Sequence, residues 1–247
     1  MPPTTVHYLL RKPMRVIITG ATGGYGRALC RQAKLNGYSV LAVSKSPDKL
    51  ESLVRCGLAD DLFVLDYLDG NLDANLTNLE SFMQSKEITS VDLLINNAGI
   101  GSKRHSLFDE NAEDFRRALE VNCIGPGQLT RRLAASFSLA TVVNISSRRG
   151  SVAQNADEAV SKLGCSYTYR ISKAALNMLS LCIANELGDR LQSYTVHPGR
   201  LRAGIGVQDA ELTAQDSAVR LFQLVASRPD PSLFYSLETE QVQTLPW

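Results

Sequence analysis

The sequence predicts an α/β domain built on a doubly wound parallel sheet with helices on both faces. Three observations carry this. Short β-branched runs alternate with helical stretches from one end of the chain to the other. The first run leads directly into a glycine-rich turn and a helix. No linker, repeat or low-complexity stretch breaks the alternation, so residues 14–247 are expected to form a single domain behind a short tail, residues 1–13.

The elements follow in order. Arg15–Thr19 (RVIIT) reads as a buried strand bounded by Gly20, and the helix over Arg27–Asn36 ends at Gly37. Tyr38–Val43 is a second buried strand, after which Ser46-Pro47 supplies an N-cap and a first-turn proline. Asp61–Leu65 and Val91–Ile95 are strands three and four, with a polar helix around Leu76–Lys86 between them. A long helix is expected from Asn111–Asp114 to about Ala135, capped by Asn111. Ala140–Ile145 is strand five, Tyr167–Leu187 a helix and Gln192–Val196 strand six. Thr213-x-x-Asp216 opens a helix through Ala226, and Leu233–Tyr235 closes the sheet.

Composition narrows the function. The 247 residues are 44% hydrophobic and 21% charged, with a formal net charge of +1. That balance argues against a nucleic acid or a membrane surface held by bulk charge. No apolar run approaches the ~20 residues that span a bilayer. Five cysteines without CxxC spacing suit reduced thiols in a cytoplasmic protein, and Cys165 reads as an inert thiol. The three histidines form no ligand pattern, so no metal is expected.

In a doubly wound sheet, ligands sit at the carboxyl ends of the strands near the switch point. The first such end carries Thr19-Gly20-Ala21-Thr22-Gly23-Gly24-Tyr25-Gly26, which lets the backbone approach a pyrophosphate at a helix N-terminus. Gly20, Thr22, Gly24, Tyr25 and Gly26 are therefore candidate cofactor contacts on a Rossmann-type fold. The second strand ends in Val43-Ser44-Lys45-Ser46, with a lysine and no acid. An acid there would bind the ribose 2′-hydroxyl and repel a 2′-phosphate, so Ser44 and Lys45 favour NADP(H) over NAD(H). Asp66, after strand three, either bonds an adenine amino group or serves a polar turn with Asp69.

Together these residues resemble the short-chain dehydrogenase/reductase family. The TGxxxGxG pattern is met by Thr19, Gly20, Gly24 and Gly26, and the NNAG pattern by Asn96-Asn97-Ala98-Gly99. Tyr169-x-x-x-Lys173 is a YxxxK within the Tyr167–Leu187 helix, Ser146-Ser147 follows strand five, and Asn122 lies within the long helix. Pro198-Gly199 follows strand six, where the family contacts the nicotinamide half of the cofactor. Within the family the resemblance runs to C-factor and sniffer-type carbonyl reductases, through YTYRISKAALNML, the HPG turn and Leu245-Pro246-Trp247. It implies cofactor contacts at Asn97, Ala98, Gly99, Tyr169, Lys173, Pro198 and Gly199, and a catalytic set of Asn122, Ser147, Tyr169 and Lys173.

Tyr169 and Lys173, four apart, share a helix face. A tyrosine pKa near 10 must fall for proton exchange at neutral pH, which a nearby ammonium favours. Tyr169 is expected to protonate a carbonyl oxygen, or act as base in reverse, with Ser147 orienting that oxygen. Lys173 holds the nicotinamide ribose and, as the resemblance implies, Asn122 positions a water in the relay to Lys173. Tyr167 has Ile171 four residues on and is read as packing or substrate contact.

There are departures from the family. Ser147 and Tyr169 stand 22 positions apart, so an insertion occupies about Ser151–Cys165, expected as a mobile flap on the substrate side. Ala203 stands where many members have a threonine, and Gly23 where many NADP-using members carry a basic residue. Arg148, Arg149, Arg200, Arg202, Lys103 and Arg104 all follow strand ends, which suggests a rim suited to an anionic substrate. The expected function is an NADP(H)-dependent reductase of a ketone or aldehyde, acting as monomer or homo-oligomer. The rival reading is a non-catalytic nucleotide-sensing or signalling protein on the same fold.

Overall fold

A computed structural model describes residues 13–101, 106–156, 167–202 and 212–247. Its eight-stranded sheet has the order β3-β2-β1-β4-β5-β6-β7-β8. The strands are β1 (Arg15–Thr19), β2 (Ser39–Ser44), β3 (Asp61–Val64), β4 (Ser90–Asn96), β5 (Ser138–Ile145), β6 (Gln192–His197), β7 (Phe234–Ser236) and β8 (Gln243–Leu245). All pair in parallel except β8, which runs antiparallel to β7. This is a single-domain Rossmann-type sheet whose order reverses between β1 and β4, the place where such sheets bind ligands.

The central strands are apolar because both faces are covered. Val16 and Ile18 of β1 enter one core, against Leu29 and Ala33 of α1 (Gly24–Leu35), Leu50 and Leu53 of α2 (Pro47–Arg55), and a late helix. Ile17 points the other way, toward Leu76, Leu79 and Met83 of α3 (Leu72–Ser85) and toward Leu129 and Leu133. Each such fully buried aliphatic contributes about 1.5–3 kcal/mol.

The long predicted helix divides into three parts. Asn111 caps α4 (Ala112–Leu119) as expected: its Oδ1 accepts from Asp114 N at 3.0 Å, while Asp114 Oδ2 accepts from Asn111 N at 3.2 Å. Glu120–Ile124 then widens into a π turn before α5 (Gly125–Ser136). Pro126 explains the position, because it has no N–H to continue the α ladder. A 3-10 turn (Arg148–Gly150), α6 (Val152–Ala156), α7 (Tyr167–Leu187) and α8 (Ala214–Ser227) complete the fold. Thr213 caps α8 as predicted, its Oγ1 accepting from Asp216 N at 3.1 Å.

Some expectations are corrected. Ser46 sits at the N-cap of α2 but makes no side-chain cap bond, and Pro47 and Asp48 occupy the first turn. The closing strand is Phe234–Ser236, and the antiparallel edge strand β8 was not expected. Residues 1–12, Cys165, Ala203, Lys103, Arg104 and most of the insertion lie outside the described residues. Among the described residues, no helix is long and apolar enough to cross a membrane.

Candidate active site

The carboxyl ends of β1, β2, β4, β5 and β6 open onto one cavity of about 650 Å³. Every position that the sequence assigns to the cofactor lines it, as do Ser147, Arg148, Arg149, His197 and Arg200.

At the β1 end, backbone makes the surface. Gly20 has φ +62°, and a Cβ there would stand 2.8 Å from Ala98 Cα. A Cβ on Gly26 would lie 2.2 Å from Gly20 O, so α1 can start this close to β1 only without a side chain. The N-terminus of α1 has no side-chain cap and no acid in its first turn. Its first N–H groups therefore face the cavity as a ready anion cradle. Thr19 Oγ1 accepts from both Asn97 N and Ala98 N at 3.0 Å, and Asn97 Nδ2 donates to Thr19 O at 3.0 Å. The NNAG turn is thereby fastened to the glycine turn. Thr22 Oγ1 and Ser44 Oγ lie 2.8 Å apart, which joins the glycine turn to the end of β2, where Lys45 is exposed. Asp66 Oδ1 accepts from Leu68 N at 3.1 Å and so serves its turn while also lining the cavity.

At the β5 end, side chains make the surface. Lys173 is only 4% exposed, yet its Nζ donates to Ile145 O at 2.7 Å and lies 5.9 Å from the centre of the Tyr169 ring. Burial pushes this ammonium down to about 8, and the neighbouring Cys123 offsets the drop only in part. Ser147 Oγ accepts from Arg149 N at 3.2 Å, which starts the 3-10 turn and keeps the hydroxyl hydrogen available. Gly150 lets that turn lie against α7, since a Cβ there would be 2.6 Å from the Lys173 carbonyl carbon. Glu110 Oε2 accepts from Thr168 N at 2.9 Å and so holds the first turn of α7 beside Tyr169.

Asn122 sits beneath the cavity floor, fully buried in the π turn. Its Oδ1 accepts from Ile100 N at 2.8 Å. Its Nδ2 donates to Ile100 O at 2.8 Å and to Ser172 Oγ at 2.9 Å. Both amide hydrogens are used, which leaves an Oδ1 lone pair as its capacity for water. The residue is first a clamp between the NNAG segment and α7.

The arginines expected to form a rim are not free charges: Arg149, Arg200 and Arg202 each have an interaction partner. Arg148 Nη1 lies 3.1 Å from Glu238 Oε2, so its charge is largely answered. The sequence reading had also missed the neighbours of this pair. His197 is 5% exposed, and its Nε2 lies 3.8 Å from the same carboxylate. Burial pushes the His197 pKa down, and Glu238 counters this in part. Glu238 lies beyond β7, and no local pattern announces its approach to the end of β6.

The described chemistry is thus a phosphate-type cradle at one end of the cavity and a phenol, a hydroxyl and a buried ammonium at the other. Residues 14–211 match the model of the family described as short chain dehydrogenase. The C-signal protein of Myxococcus xanthus is 34% identical over 139 residues, covering 55% of this chain and 80% of that protein. The crystal structure of NADPH-bound carbonyl reductase from chicken fatty liver superposes with a TM-score of 0.80 at 23% identity, covering 96% of this chain and all of that one. The carbonyl reductase Sniffer of D. melanogaster gives 0.80 at 21% identity with the same coverage.

Proposed function

This chain belongs to the short-chain dehydrogenase family, and on that premise we propose that it is an NADP(H)-dependent reductase of ketones or aldehydes. The observation that carries the reading is the buried Lys173 ammonium, held at Ile145 O beside the Tyr169 ring, with Ser147 at the same strand end. An ion kept in so dry a place without a carboxylate among its described hydrogen-bond partners calls for a functional reason.

The cofactor fits the residues present. The uncapped start of α1 and the glycine turn would hold the pyrophosphate, and Pro198-Gly199 the nicotinamide end. The end of β2, with Lys45 and no acid, accepts a 2′-phosphate and favours NADP(H) over NAD(H). When bound, NADPH supplies the hydride for the carbonyl carbon. Tyr169 gives its phenolic proton to the carbonyl oxygen, and Ser147 Oγ donates a hydrogen bond to that oxygen. Lys173 lowers the cost of the phenolate left on Tyr169 and refills it from solvent through water held at Asn122. In the alcohol-oxidising direction the same phenolate takes the proton back.

A second reading has a specific observation behind it, the identity with C-signal. A nucleotide-sensing protein would need the cradle and not the proton donor, yet this chain keeps Asn122, Ser147, Tyr169 and Lys173 together. The reductase reading is the stronger one. The rim carrying Arg149 and Arg200 further favours an anionic carbonyl compound. Thermal shift with NADPH, NADH and no ligand, followed by NADPH oxidation against a carbonyl panel, tests the reading. NADPH at 100 times its Kd should add about 2.7 kcal/mol, a Tm rise of roughly 5–10 °C. A larger rise with NADH overturns the NADP assignment.

A further inference from the structure

One buried hydrogen-bond chain crosses from the glycine turn to the end of β6 without passing through the sheet. Tyr25, in the first turn of α1, is 9% exposed, and Ser217, in the first turns of α8, is fully buried. Tyr25 Oη and Ser217 Oγ lie 3.0 Å apart, and Ser217 Oγ lies 2.7 Å from Pro198 O. Ser217 has a single hydroxyl hydrogen, and a carbonyl can only accept. Ser217 therefore donates to Pro198, and Tyr25 donates to Ser217. Burial raises the pKa of Tyr25, which keeps the phenol a donor.

The geometry around this chain makes it a spacer. Between β1 and β6 stand β4 and β5, so the two strand ends are roughly 14 Å apart at ~4.8 Å per strand. Ladder hydrogen bonds set that distance within the sheet but not between the loops above it. Helix α8 is itself fixed. Thr213 caps it, Gln215 Nε2 donates to Gln32 Oε1 of α1 at 3.0 Å, and Arg202 N donates to Leu212 O at 3.1 Å just before it starts. Gly199 (φ +87°) has no room for a side chain between Leu212 and Glu238. The tie from Tyr25 thus joins two turns that sit at opposite ends of the same cavity.

We infer that Tyr25 and Ser217 are positioning residues that preset the spacing between the phosphate end and the nicotinamide end of the dinucleotide site. The inference rests on the dinucleotide reading above. Its signature is selective: a ligand that bridges both turns needs the spacing, and one that reaches only the glycine-turn end does not.

The experiment is calorimetric titration of wild type, Tyr25→Phe and Ser217→Ala with NADPH and with adenosine 2′,5′-bisphosphate, which lacks the nicotinamide half. Tyr25→Phe keeps the ring and the glycine-turn backbone that lines the cavity, and removes only the phenolic donor to Ser217. NADPH Kd should rise about three- to tenfold, the size set by one net hydrogen bond, while the bisphosphate Kd stays within about twofold. Ser217→Ala, which removes both bonds, should reproduce the split at least as strongly. Equal weakening of both ligands, or unchanged NADPH binding in both variants, overturns the spacer. Wild-type protein that binds neither ligand overturns the dinucleotide reading itself, and the spacer with it.

Discussion

The two ends of the cavity are made of different material. At the β1 end the surface is backbone: Gly20 and Gly26 admit close approach, and the side chains behind them are aliphatic. At the β5 end the surface is side chains, and polar residues continue inward. Asn96 Nδ2 donates to Asn144 Oδ1 at 2.8 Å, and Asn144 Nδ2 donates to Ser180 Oγ at 2.9 Å, all buried. Ser146 reaches Asn177, and Asn122 reaches Ser172, two helix positions flanking Lys173. The cradle end is thus specified by what is missing from residues, the chemical end by hydrogen bonds that fix each polar group. Damage at the first should act through shape and stability. Damage at the second should act through chemistry with stability largely kept.

Lys173→Met is the sharpest way to break that contrast. Carbonyl reduction should fall about 10²–10⁴-fold, the range for losing acid–base function. Replacing a buried charge with no carboxylate among its described hydrogen-bond partners by an apolar chain of similar length should leave Tm unchanged or raise it. A variant that unfolds would show the β5 end to be as structural as the β1 end.

Gly26→Ala should give the opposite pattern. Its Cβ meets the backbone of Gly20 and Ala21, so overpacking should cost about 2–3 kcal/mol, a Tm drop of roughly 5–10 °C, with NADPH binding lost. An unaltered Tm would mean that the turn yields more easily than its geometry implies.

A pH profile sharpens the chemical side. The Lys173 pKa is depressed by burial to about 8 from an ordinary 10.5, so the folded protein binds fewer protons than the unfolded chain between those values. This group's effect on stability therefore improves as pH rises from about 8 to 10.5 and is adverse below that window. Activity should move the other way. kcat/KM for NADPH, which reports groups of the free enzyme, should decline as pH passes about 8 and Lys173 loses its proton. A flat profile to pH 10 would contradict the assignment.

The smallest effects belong to exposed charges. Lys45→Ser should narrow the NADPH over NADH preference by no more than about fivefold, since an exposed contact contributes ~0.2–1 kcal/mol. Replacing Arg149 and Arg200 with Gln should weaken turnover of carboxylate-bearing carbonyl compounds more than that of matched neutral ones, and less so at high salt. Equal effects on both classes would end the anionic-substrate idea.

Legibility in the sequence follows the same divide. The β1–α1–β2 unit was readable because continuous apolar runs and a glycine turn carry their meaning locally. Tyr169, Lys173 and Ser147 were readable as motif positions, and the cavity does bring them to one strand end. What escaped is non-local. β8 escaped because three largely exposed residues, Gln243–Leu245, hold no apolar pattern. The π turn had a signal in Gly125-Pro126-Gly127, a proline inside a helix. Glu238 facing Arg148 and His197, and Ser217 beneath Tyr25, join residues 90, 41 and 192 positions apart, and no periodicity encodes such pairs.

We propose Tyr169 as the proton donor of an NADPH-dependent carbonyl reductase. The most direct test sets Tyr169→Phe beside Tyr167→Phe and wild type, measuring NADPH oxidation with a carbonyl substrate and NADPH Kd on the same samples. Tyr169→Phe should lose turnover by at least about 10²-fold with Kd within about twofold, while Tyr167→Phe should keep both. Near-normal turnover in Tyr169→Phe, or loss in Tyr167→Phe instead, would contradict it.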